Sequence, residues 1–280
     1  MSLLVTVLAH NEERRIGGCL SSLLAEPGDF PIHVVVNGSR DRTAEIARSF
    51  GSRVTVHDYA RPGKARSWNR FVLDELPAYA DVHVFVDGDA EIASGSLAAL
   101  ERWLADHPEA NAASALPMNG RNLAAYQAGM QAEHGLFGDL YALRGTFLTR
   151  MRASGIRLPD DLIGDDGLIG SLVKTDLGPL DGWQETRVAV CLDAGFYCEP
   201  IRLAAPASWR MQYRRLVSYS VRHYQNRIIT EIMRSAGPRG LPARLAELYP
   251  DHLVRFRPRP TLSTWWFDRA ALRKMRAEQP

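Results

Sequence analysis

Short runs of apolar, β-branched residues alternate with stretches of helical periodicity over about the first 118 residues. The apolar runs are LLVTVLA, HVVVNG, VTVHDY and VHVFVDGD, each short enough for a buried strand. Between them, EERRIGGCLSSLL, RTAEIARSF and KARSWNRFVLDEL carry apolar residues at helical spacing. This alternation predicts crossover units and an α/β fold, with a mostly parallel central sheet flanked by helices.

The pattern is less regular after residue 118. YALRGTFLTRMR predicts a strand and a short helix, LPDDLIGDDGLIGSLVKTD an acidic loop opening a helix, and ETRVAVCLDAGFYCEP one strand or a pair. A long helix is predicted from residue 208, because apolar residues recur there at steps of three and four: Val217, Val221, Tyr224, Ile228 and Ile232. SAGPRGLP ends this helix, and STWWFDRAALRKMR predicts a short basic helix near the end of the chain.

Charge is distributed unevenly along the chain. Residues 201–280 carry 16 Arg and Lys against 5 Asp and Glu, a net +11, whereas residues 1–200 carry 18 against 27, a net −9. We therefore predict an α/β domain over residues 1–200 and a mainly helical, basic region over residues 201–280 that packs on it. A basic surface can face phosphate, nucleic acid or an anionic membrane, and a solvated helix face is the equal alternative.

Composition removes several classes of protein. The 280 residues are 46% hydrophobic and 24% charged, which is typical of a globular protein. MSLLVTVLAHNEERR meets charges too early for a secretory signal, and no apolar stretch is long enough for a membrane span. Cys19, Cys191 and Cys198 are too few and too irregularly spaced for a disulfide framework or a four-ligand zinc site. We expect a cytoplasmic protein, either free or peripheral at the inner face of the membrane.

Polar residues follow each of the four predicted strands. HNE, NGSRD, DY and DGD stand at the strand ends, and ligands of parallel sheets bind beyond the carboxyl ends of the strands. The four segments therefore predict one shared cleft. The dinucleotide-binding fold is excluded, because no G-x-G-x-x-G follows the first strand and the glycine pair of RIGGCL lies inside a predicted helix.

Asp87 and Asp89, separated by Gly88, end the fourth strand in VFVDGDAEI. Two carboxylates at this spacing can converge on one hard cation, and Mg²⁺ and Mn²⁺ prefer oxygen ligands that a nucleoside diphosphate would complete. A lone D-x-D pattern is more often a turn or a helix cap, but its position after a buried strand favours a metal site. His223 is a more distant candidate for a third ligand.

Five segments together resemble the inverting family 2 glycosyltransferases of the GT-A fold. They are VTVLAHNEERRIGGCLSSLL, VVVNGSRDRTAEIAR, RPGKARSWN, VFVDGDAEI and IGDDGLIGSLV, in this order, over roughly residues 3–175. The resemblance implies that residues 1–200 bind a nucleotide-sugar donor and catalyse the transfer. It also implies an Mg²⁺ or Mn²⁺ ion at Asp87 and Asp89, and a catalytic base in the acidic pair near residue 165.

Carried over by position, the resemblance assigns donor contacts in the first 90 residues. They are Ala9, Glu12, Asn37, Ser39, Asp41, Lys64, Asp87 and Gly88. Helix capping is the alternative for Asn11, Ser39 and Asp41, and a plain solvated side chain is the alternative for Lys64. Asn37 stands where many relatives have a carboxylate that reads uracil, so the nucleotide stays open among UDP, GDP and dTDP.

The acidic pair Asp165-Asp166 is the candidate for the catalytic base. An inverting transfer needs a carboxylate on the acceptor side to take a proton from the attacking hydroxyl. Matching by position makes Asp166 the base and keeps Asp165 in reserve, and an acidic first turn of the following helix is the alternative. The other pair, Asp160-Asp161, is interpreted as an ordinary solvated loop.

The basic C-terminal region has two predicted uses. Arg214 and Arg215, together with Arg210, are expected either to cover the departing diphosphate or to rest on an anionic leaflet beside a lipid-linked acceptor. Trp265 and Trp266 suit an interface belt, and a buried core is the alternative. Because no membrane span and no clear Gln-x-x-Arg-Trp element is present, we expect a single sugar to be added to a sugar or a lipid-linked acceptor.

Two other functions remain as alternatives. A sugar-phosphate nucleotidyltransferase would also bind a nucleotide and a metal at strand ends, but it should carry a glycine-rich, arginine-bearing loop where this chain has LAHNEERR. A non-catalytic module that binds nucleotide or nucleic acid is the second alternative. We expect no nucleic-acid partner, because the arginines and aromatic residues form no recognisable nucleic-acid motif.

Overall fold

The computed structural model describes residues 1–120, 122–136, 138–199 and 206–279. Within these ranges the strands are β1 Leu3–Ala9, β2 Ile32–Asn37, β3 Val54–Tyr59, β4 Val82–Asp87, β5 Ala90–Ile92, β6 Ala112–Pro117, β7 Leu140–Arg144 and β8 Val188–Cys198. The helices are α1 Ile16–Leu24, α2 Thr43–Arg48, α3 Lys64–Trp68, α4 Ser96–Asp106, α5 Leu123–Glu133, α6 Gly145–Ser154, α7 Asp165–Lys174, α8 Pro206–Ser235, α9 Tyr249–Leu253 and α10 Leu262–Ala277. A π-helical stretch, Asn69–Glu75, continues α3.

The strands form one mixed sheet in the order β3-β2-β1-β4-β7-β6-β8-β5. The four strands predicted from the apolar runs are confirmed, and they form its parallel part, with β1 between β2 and β4 and with β3 beside β2. Beyond β4, strand β7 runs antiparallel to both β4 and β6. The start of β7 therefore lies beside the end of β4.

Helices cover both faces of the sheet, as predicted. Along β1, Val5 and Val7 belong to the hydrophobic cluster that α1, α2 and α4 complete. Leu4 and Leu8, on the opposite face, belong to the cluster that α3, α6 and α7 complete. This alternation follows from the two-residue period of a strand and produces two cores, one on each side of the sheet.

The C-terminal helices bury apolar residues in the second of these cores. Val221, Tyr224 and Ile228, at the centre of the predicted stripe of α8, are buried, and α10 packs on α8 with Leu272 and Met275 in the same cluster. Residues 200–205, where the predicted domain boundary falls, lie outside the described residues, so that boundary stays a prediction. Among the described helices, none combines the length and the apolar character that crossing a membrane requires.

The middle of the chain folds largely as its pattern predicts. YALRGTFLTRMR forms β7 and α6, the IGDDGLIG segment opens α7, and β8 is one long strand rather than a pair. The interpretation of the Asp160-Asp161 pair as an ordinary solvated loop is wrong. Asp161 accepts the N–H groups of Leu245 (2.7 Å) and Ala246 (2.9 Å), and Asp160 pairs with Arg66 at 3.1 Å. Asp161 therefore ties the loop before α7 to the C-terminal region.

Candidate active site

Three aspartates meet where β4 ends. Asp87 is the last residue of β4, Asp89 follows the turn, and Asp139 immediately precedes β7. One carboxylate oxygen from each lies within 4.8 Å of the others. The backbone N–H of Asp87 donates to the carbonyl of Asp139 at 3.2 Å, because the antiparallel β7 starts beside the end of β4. Asp139 stands in no D-x-D pattern and was missed in the sequence.

Gly88 is required by the tight turn between two of these aspartates. Its N–H donates to the carbonyl of Leu8 at 2.8 Å, which draws the turn down onto the end of β1. A Cβ atom at residue 88 would lie 2.8 Å from the Cβ of the buried Ala9. Ala9 and Gly88, both predicted to meet the donor, therefore pack against each other under the aspartates.

Burial and mutual repulsion make this group of carboxylates unusual. Burial raises the pKa of Asp87 to about 8, against the opposing effect of Lys64, and Asp139 and Asp165 raise it further. Burial also raises the pKa of Asp139, with a further contribution from Asp89. Three crowded oxygen ligands of this kind suit a hard divalent cation such as Mg²⁺ or Mn²⁺. The residues present therefore fit the predicted metal.

Lys64 joins the three aspartates to the acidic pair. Its Nζ lies 2.6 Å from Oδ1 of Asp87 and 3.5 Å from Oδ1 of Asp165. Burial alone would lower the pKa of Lys64, but the carboxylates of Asp165 and Asp87 raise it well above its usual value. Lys64 is therefore a fixed positive charge, and the alternative of a plain solvated lysine is wrong.

Asp165 and Asp166 are adjacent in the chain but face different surroundings. They occupy the first turn of α7, where negative charge is favourable, after Gly164 with a φ of +85°. Asp165 is buried and faces Lys64. Asp166 is less buried, and its Oδ2 accepts a hydrogen bond from Arg222 of α8 at 3.1 Å. Helix geometry thus points the Asp165 carboxylate toward Lys64 and the three aspartates, and the Asp166 carboxylate toward α8.

Gly138 lies at the point where the two carboxylate groups meet. A Cβ atom at this residue would lie 3.2 Å from Nζ of Lys64, 3.6 Å from Oδ2 of Asp87 and 3.7 Å from Cβ of Asp166. Gly138 therefore lies between the three aspartates and Asp166, within contact distance of both groups.

Glu12 lies behind the aspartates, linked to them by an arginine. Arg15 is 2.5 Å from the carboxylate of Glu12 and 3.3 Å from that of Asp89. Burial raises the pKa of Glu12 to about 7, Asp89 adds to this effect, and Arg15 opposes it. The structure therefore brings Glu12 close to the predicted metal site rather than into the loops at the end of β2.

The loops after β1 and β2 are tied to each other. The N–H of Asn11 donates to Oγ of Ser39, and the N–H of Arg40 donates to Oδ1 of Asn11, both at 2.9 Å. Neither side chain caps a helix, so the capping alternative is wrong for these two residues. A cavity of about 330 Å³ lies between the loops and is lined by His10, Asn11, Gly38, Ser39, Arg40, Ala60 and Pro62.

Asn37 and Asp41, both predicted to contact the donor, make hydrogen bonds within the fold. Asn37 is buried, donates to the carbonyl of Ala9 at 3.1 Å and accepts the N–H of Gly63 at 3.3 Å. Asp41 accepts the N–H of Thr43, the first residue of α2, at 3.1 Å. The capping alternative therefore describes Asp41, and Asn37 connects the ends of β1 and β2 to the loop before α3.

A second cavity, of about 720 Å³, opens beside Asp166. Helices α5, α7 and α8 and the segment 183–185 form its walls. Its lining residues are Tyr126, Ala132, Glu133, Gly135, Leu136, Asp166, Gly167, Gly170, Ser171, Lys174, Trp183, Glu185, Tyr219 and Arg222. Asp166 thus borders this cavity, whereas its neighbour Asp165 faces Lys64.

The arginine of α8 that contacts the acidic pair is Arg222, which was not predicted. Arg214 and Arg215 are exposed nearer the start of α8, and the guanidinium of Arg215 lies 5.4 Å from the ring centre of Tyr219. His223 lines a different cavity and packs edge-on against a tyrosine ring. Among the described residues the third acidic group is Asp139, so the candidacy of His223 as a metal ligand was wrong.

A sequence profile decides the class of this chain. The profile of glycosyl transferase family 2 matches residues 4–161, more than half of the 280 residues. The chain belongs to glycosyl transferase family 2. The matched range contains the three aspartates and both donor-side loops, and it ends just before the acidic pair.

Curated relatives of this glycosyltransferase match only in part. A 4,4'-diaponeurosporenoate glycosyltransferase of Staphylococcus haemolyticus is 32% identical over 93 residues, which cover 32% of this chain and 25% of the relative. The protein of the same name from Staphylococcus aureus strain RF122 is 42% identical over 53 residues, which cover 19% of this chain and 14% of the relative. The matches span a quarter or less of these relatives, so they support the class of enzyme and leave its acceptor open.

Solved structures match this glycosyltransferase over most of its length. A mannosyltransferase of Pyrobaculum calidifontis, in complex with GDP-Man and Mn²⁺, covers 99% of this chain and 86% of its own at 21% identity and a TM-score of 0.61. Staphylococcus aureus TarS in complex with UDP-GlcNAc covers 100% of this chain and 82% of its own, at 16% identity and a TM-score of 0.58. At these identities the likeness shows the fold alone, which is GT-A as predicted.

The residues missed in the sequence carry no motif of their own. They are Asp139, Gly138, Arg15 and Arg222, of which only Arg15 lies inside one of the five segments that carry the family resemblance. Gly138 and Asp139 lie just before the predicted strand YALR, and an antiparallel placement of that strand beside β4 would have brought them to the site. No comparable signal marked Arg15 or Arg222.

Proposed function

We propose that the protein is a metal-dependent inverting glycosyltransferase that moves a single sugar from a nucleotide-sugar donor to an acceptor hydroxyl. The observation that carries this proposal is the convergence of Asp87, Asp89 and Asp139 within 4.8 Å, with Asp166 across Gly138. The nucleotide is UDP, GDP or dTDP. Solved relatives in complex with GDP-Man or UDP-GlcNAc support a donor of this class.

The three aspartates would hold Mg²⁺ or Mn²⁺, and the bound ion would supply charge neutralisation to the leaving diphosphate. Lys64 adds a positive charge on the same side, 2.6 Å from Asp87. Ser39 and Asn11 line the 330 Å³ cavity, and we propose that they contact the nucleoside. We propose Ala9, Glu12, Asn37 and Asp41 as its framework rather than as direct contacts.

Asp166 is proposed as the general base. The acceptor hydroxyl gives its proton to the Asp166 carboxylate while its oxygen bonds to the anomeric carbon, and the bond from that carbon to the diphosphate oxygen breaks on the opposite face. Asp166 lines the 720 Å³ cavity, whereas Asp165 is buried against Lys64. Arg222 holds the Asp166 carboxylate through one hydrogen bond of 3.1 Å.

The C-terminal region, residues 201–280, is proposed to touch an anionic lipid surface beside a lipid-linked acceptor. Trp209 is 70% exposed and Trp266 65% exposed, and Trp209 is followed along α8 by the exposed Arg210 and Arg214. No acidic residue occurs between residues 209 and 230. Exposed tryptophans with arginines favour an interface with anionic headgroups. Arg215, next to Tyr219, remains the candidate for covering the diphosphate.

Thermal unfolding with UDP, GDP and dTDP, each with and without Mn²⁺, tests the function. A ligand that binds the native state raises the midpoint temperature, so we expect one nucleotide to stabilise the protein only when the metal is present. A panel of nucleotide sugars, screened for slow hydrolysis, then identifies the sugar. Stabilisation that is the same without metal, or that requires a nucleic acid, contradicts the proposal.

A further inference from the structure

We propose that the 720 Å³ cavity beside Asp166 binds an uncharged, polyhydroxylated acceptor, that is, a neutral sugar ring, free or at the end of a glycolipid. This inference rests on the proposed function, because the role of the cavity follows from its position next to the general base. Its volume lies within the range of about 300–1,000 Å³ that is usual for small-molecule sites.

The floor of the cavity is one face of α7 made of small residues. Gly167, Gly170 and Ser171 line it, and residues three and four apart lie on the same side of a helix. Asp166 precedes this face by one residue, so a ligand on the floor reaches its carboxylate. Arg222 and Leu136 cover the two glycines, because a Cβ atom at Gly167 would lie 3.1 Å from Nη2 of Arg222 and one at Gly170 would lie 3.4 Å from Cβ of Leu136. Ser171 is therefore the floor position at which a larger side chain would reduce the cavity.

The walls carry hydrogen-bonding side chains, which exclude a hydrocarbon occupant. Tyr126, Ser171, Glu185, Tyr219 and Arg222 all line the cavity. A lipid tail would displace water from these polar groups without offering hydrogen bonds in return, which is unfavourable. Sugar hydroxyls both donate and accept, so they can replace the displaced water.

The two cations on the walls are paired and the lining carboxylates outnumber them, which disfavours an anionic occupant. Nζ of Lys174 lies 2.5 Å from the carboxylate of Glu185, and Arg222 is hydrogen-bonded to Asp166. Both cations among the described lining residues therefore already have a carboxylate partner. An anionic acceptor would have to displace Glu185 or approach Asp166, and it would gain no unpaired cation in return.

Trp183 provides a fixed apolar surface in an otherwise polar wall. Its indole Nε1 donates to Glu185 at 2.7 Å, and Nζ of Lys174 lies 4.8 Å from the ring centre. The side chain remains 39% exposed although its orientation is set by these two contacts. An indole ring held in this way can pack against the face of a sugar ring that carries C–H groups, and the sugar hydroxyls then point to the polar walls.

Saturation-transfer NMR with defined probes tests this site. The probes are methyl glucoside, methyl mannoside and methyl N-acetylglucosaminide, with methyl glucuronide and decanol as charged and apolar comparisons. We expect at least one neutral glycoside to bind, with a Kd that rises about tenfold in Ser171→Leu and in Trp183→Ala. Ser21→Leu, an exposed helix position in α1, is the matched control and should bind as the wild type does. A circular-dichroism melt checks that each variant is folded.

A transfer assay separates this inference from the proposed function. With the bound glycoside as acceptor, Ser171→Leu and Trp183→Ala should each raise the acceptor KM about tenfold while the donor KM changes little. Comparing turnover of the same sugar on a lipid in detergent micelles and on a free glycan distinguishes a glycolipid acceptor from a free one. The inference is overturned if decanol or methyl glucuronide binds as tightly as the neutral glycosides. It is also overturned if the Kd of the glycoside is unchanged in both variants. Glycoside binding without any donor turnover overturns the proposed function and leaves the site standing.

Discussion

The proposed donor side and the proposed acceptor side of the molecule are built differently. On the donor side, three half-buried aspartates meet at the end of β4 and the start of β7, with Lys64 of α3 beside them. On the acceptor side, Asp166 borders a wide cavity between helices and is paired with Arg222. Asp165 and Asp166 are adjacent in the chain, and one faces each side because they differ by about 100° around α7.

The difference has a physical reason. A half-buried group of like charges is unfavourable without a cation, so the donor side suits a partner that brings positive charge. On the acceptor side both cations of the cavity wall already have a carboxylate partner, so that side suits a partner without negative charge. Gly138 lies between the two sides, near both Asp87 and Asp166.

The largest effect is expected from removing the base. Asp166→Asn should lower kcat by about 10²- to 10⁴-fold, because the acceptor hydroxyl loses its proton acceptor, while the donor KM stays near the wild-type value. Asp160→Asn, an acidic loop residue of the same segment, is the control and should keep most of the activity. Near-normal turnover by Asp166→Asn would assign the base to Asp165 or to another group.

A smaller loss of kcat is expected when a methyl group is added at Gly138, between the three aspartates and Asp166. Gly138→Ala places a methyl group 3.2 Å from Nζ of Lys64, and we expect kcat to fall about ten- to hundredfold through displaced reacting groups. Gly129→Ala in α5, where a Cβ meets open space, serves as the matched control. Equal kcat values for the two variants would show that Gly138 does not border the reacting atoms.

The lipid contact should respond more weakly still. The double variant Trp209→Ala and Trp266→Ala is expected to reduce the fraction bound to vesicles containing phosphatidylglycerol about fivefold, because each loses an interface anchor. Phosphatidylcholine vesicles should bind little of either protein, since the attraction requires anionic headgroups. Flotation assays measure both, and equal binding to the two kinds of vesicle would count against the electrostatic part of this contact.

The smallest effect concerns stability on the donor side. The pKa of Glu12 is raised to about 7, so ionising it in the folded protein costs stability as the pH rises from about 4.5 through 7. Glu12→Gln should therefore stabilise the metal-free protein at pH 8 relative to pH 5, by on the order of 1 kcal/mol after solvent screening. Chemical unfolding at the two pH values measures this, and an equal or lower stability of the variant at pH 8 would contradict it.

Much of the donor side follows from the sequence because its signals are local. The apolar runs define β1 to β4, and the parallel order of these strands brings Asp87 and Asp89 to the edge where ligands bind. Asp139 was missed because only the antiparallel placement of β7 brings it there. The local pattern around a residue contains no information about which strand its own strand will pair with.

The acceptor side was less predictable because tertiary contacts create it. The cavity depends on how α5, α7 and α8 are spaced, and Arg222 reaches Asp166 only because α8 packs across the start of α7. For Asn37 and Asp41 the sequence predicted a donor contact, but both make hydrogen bonds within the fold. Residue types that suit a nucleotide contact suit such internal hydrogen bonds equally well.

The most direct test is the affinity for Mn²⁺ in the presence of the stabilising nucleoside diphosphate, measured by calorimetry on the wild type and on Asp139→Asn. Asp193→Asn, a surface aspartate paired with Arg102, is the control. Since Asp139 would supply one of three carboxylate ligands, its loss should weaken the metal at least about tenfold, and the control should match the wild type. Unchanged Mn²⁺ affinity in Asp139→Asn would contradict a metal site at the end of β4.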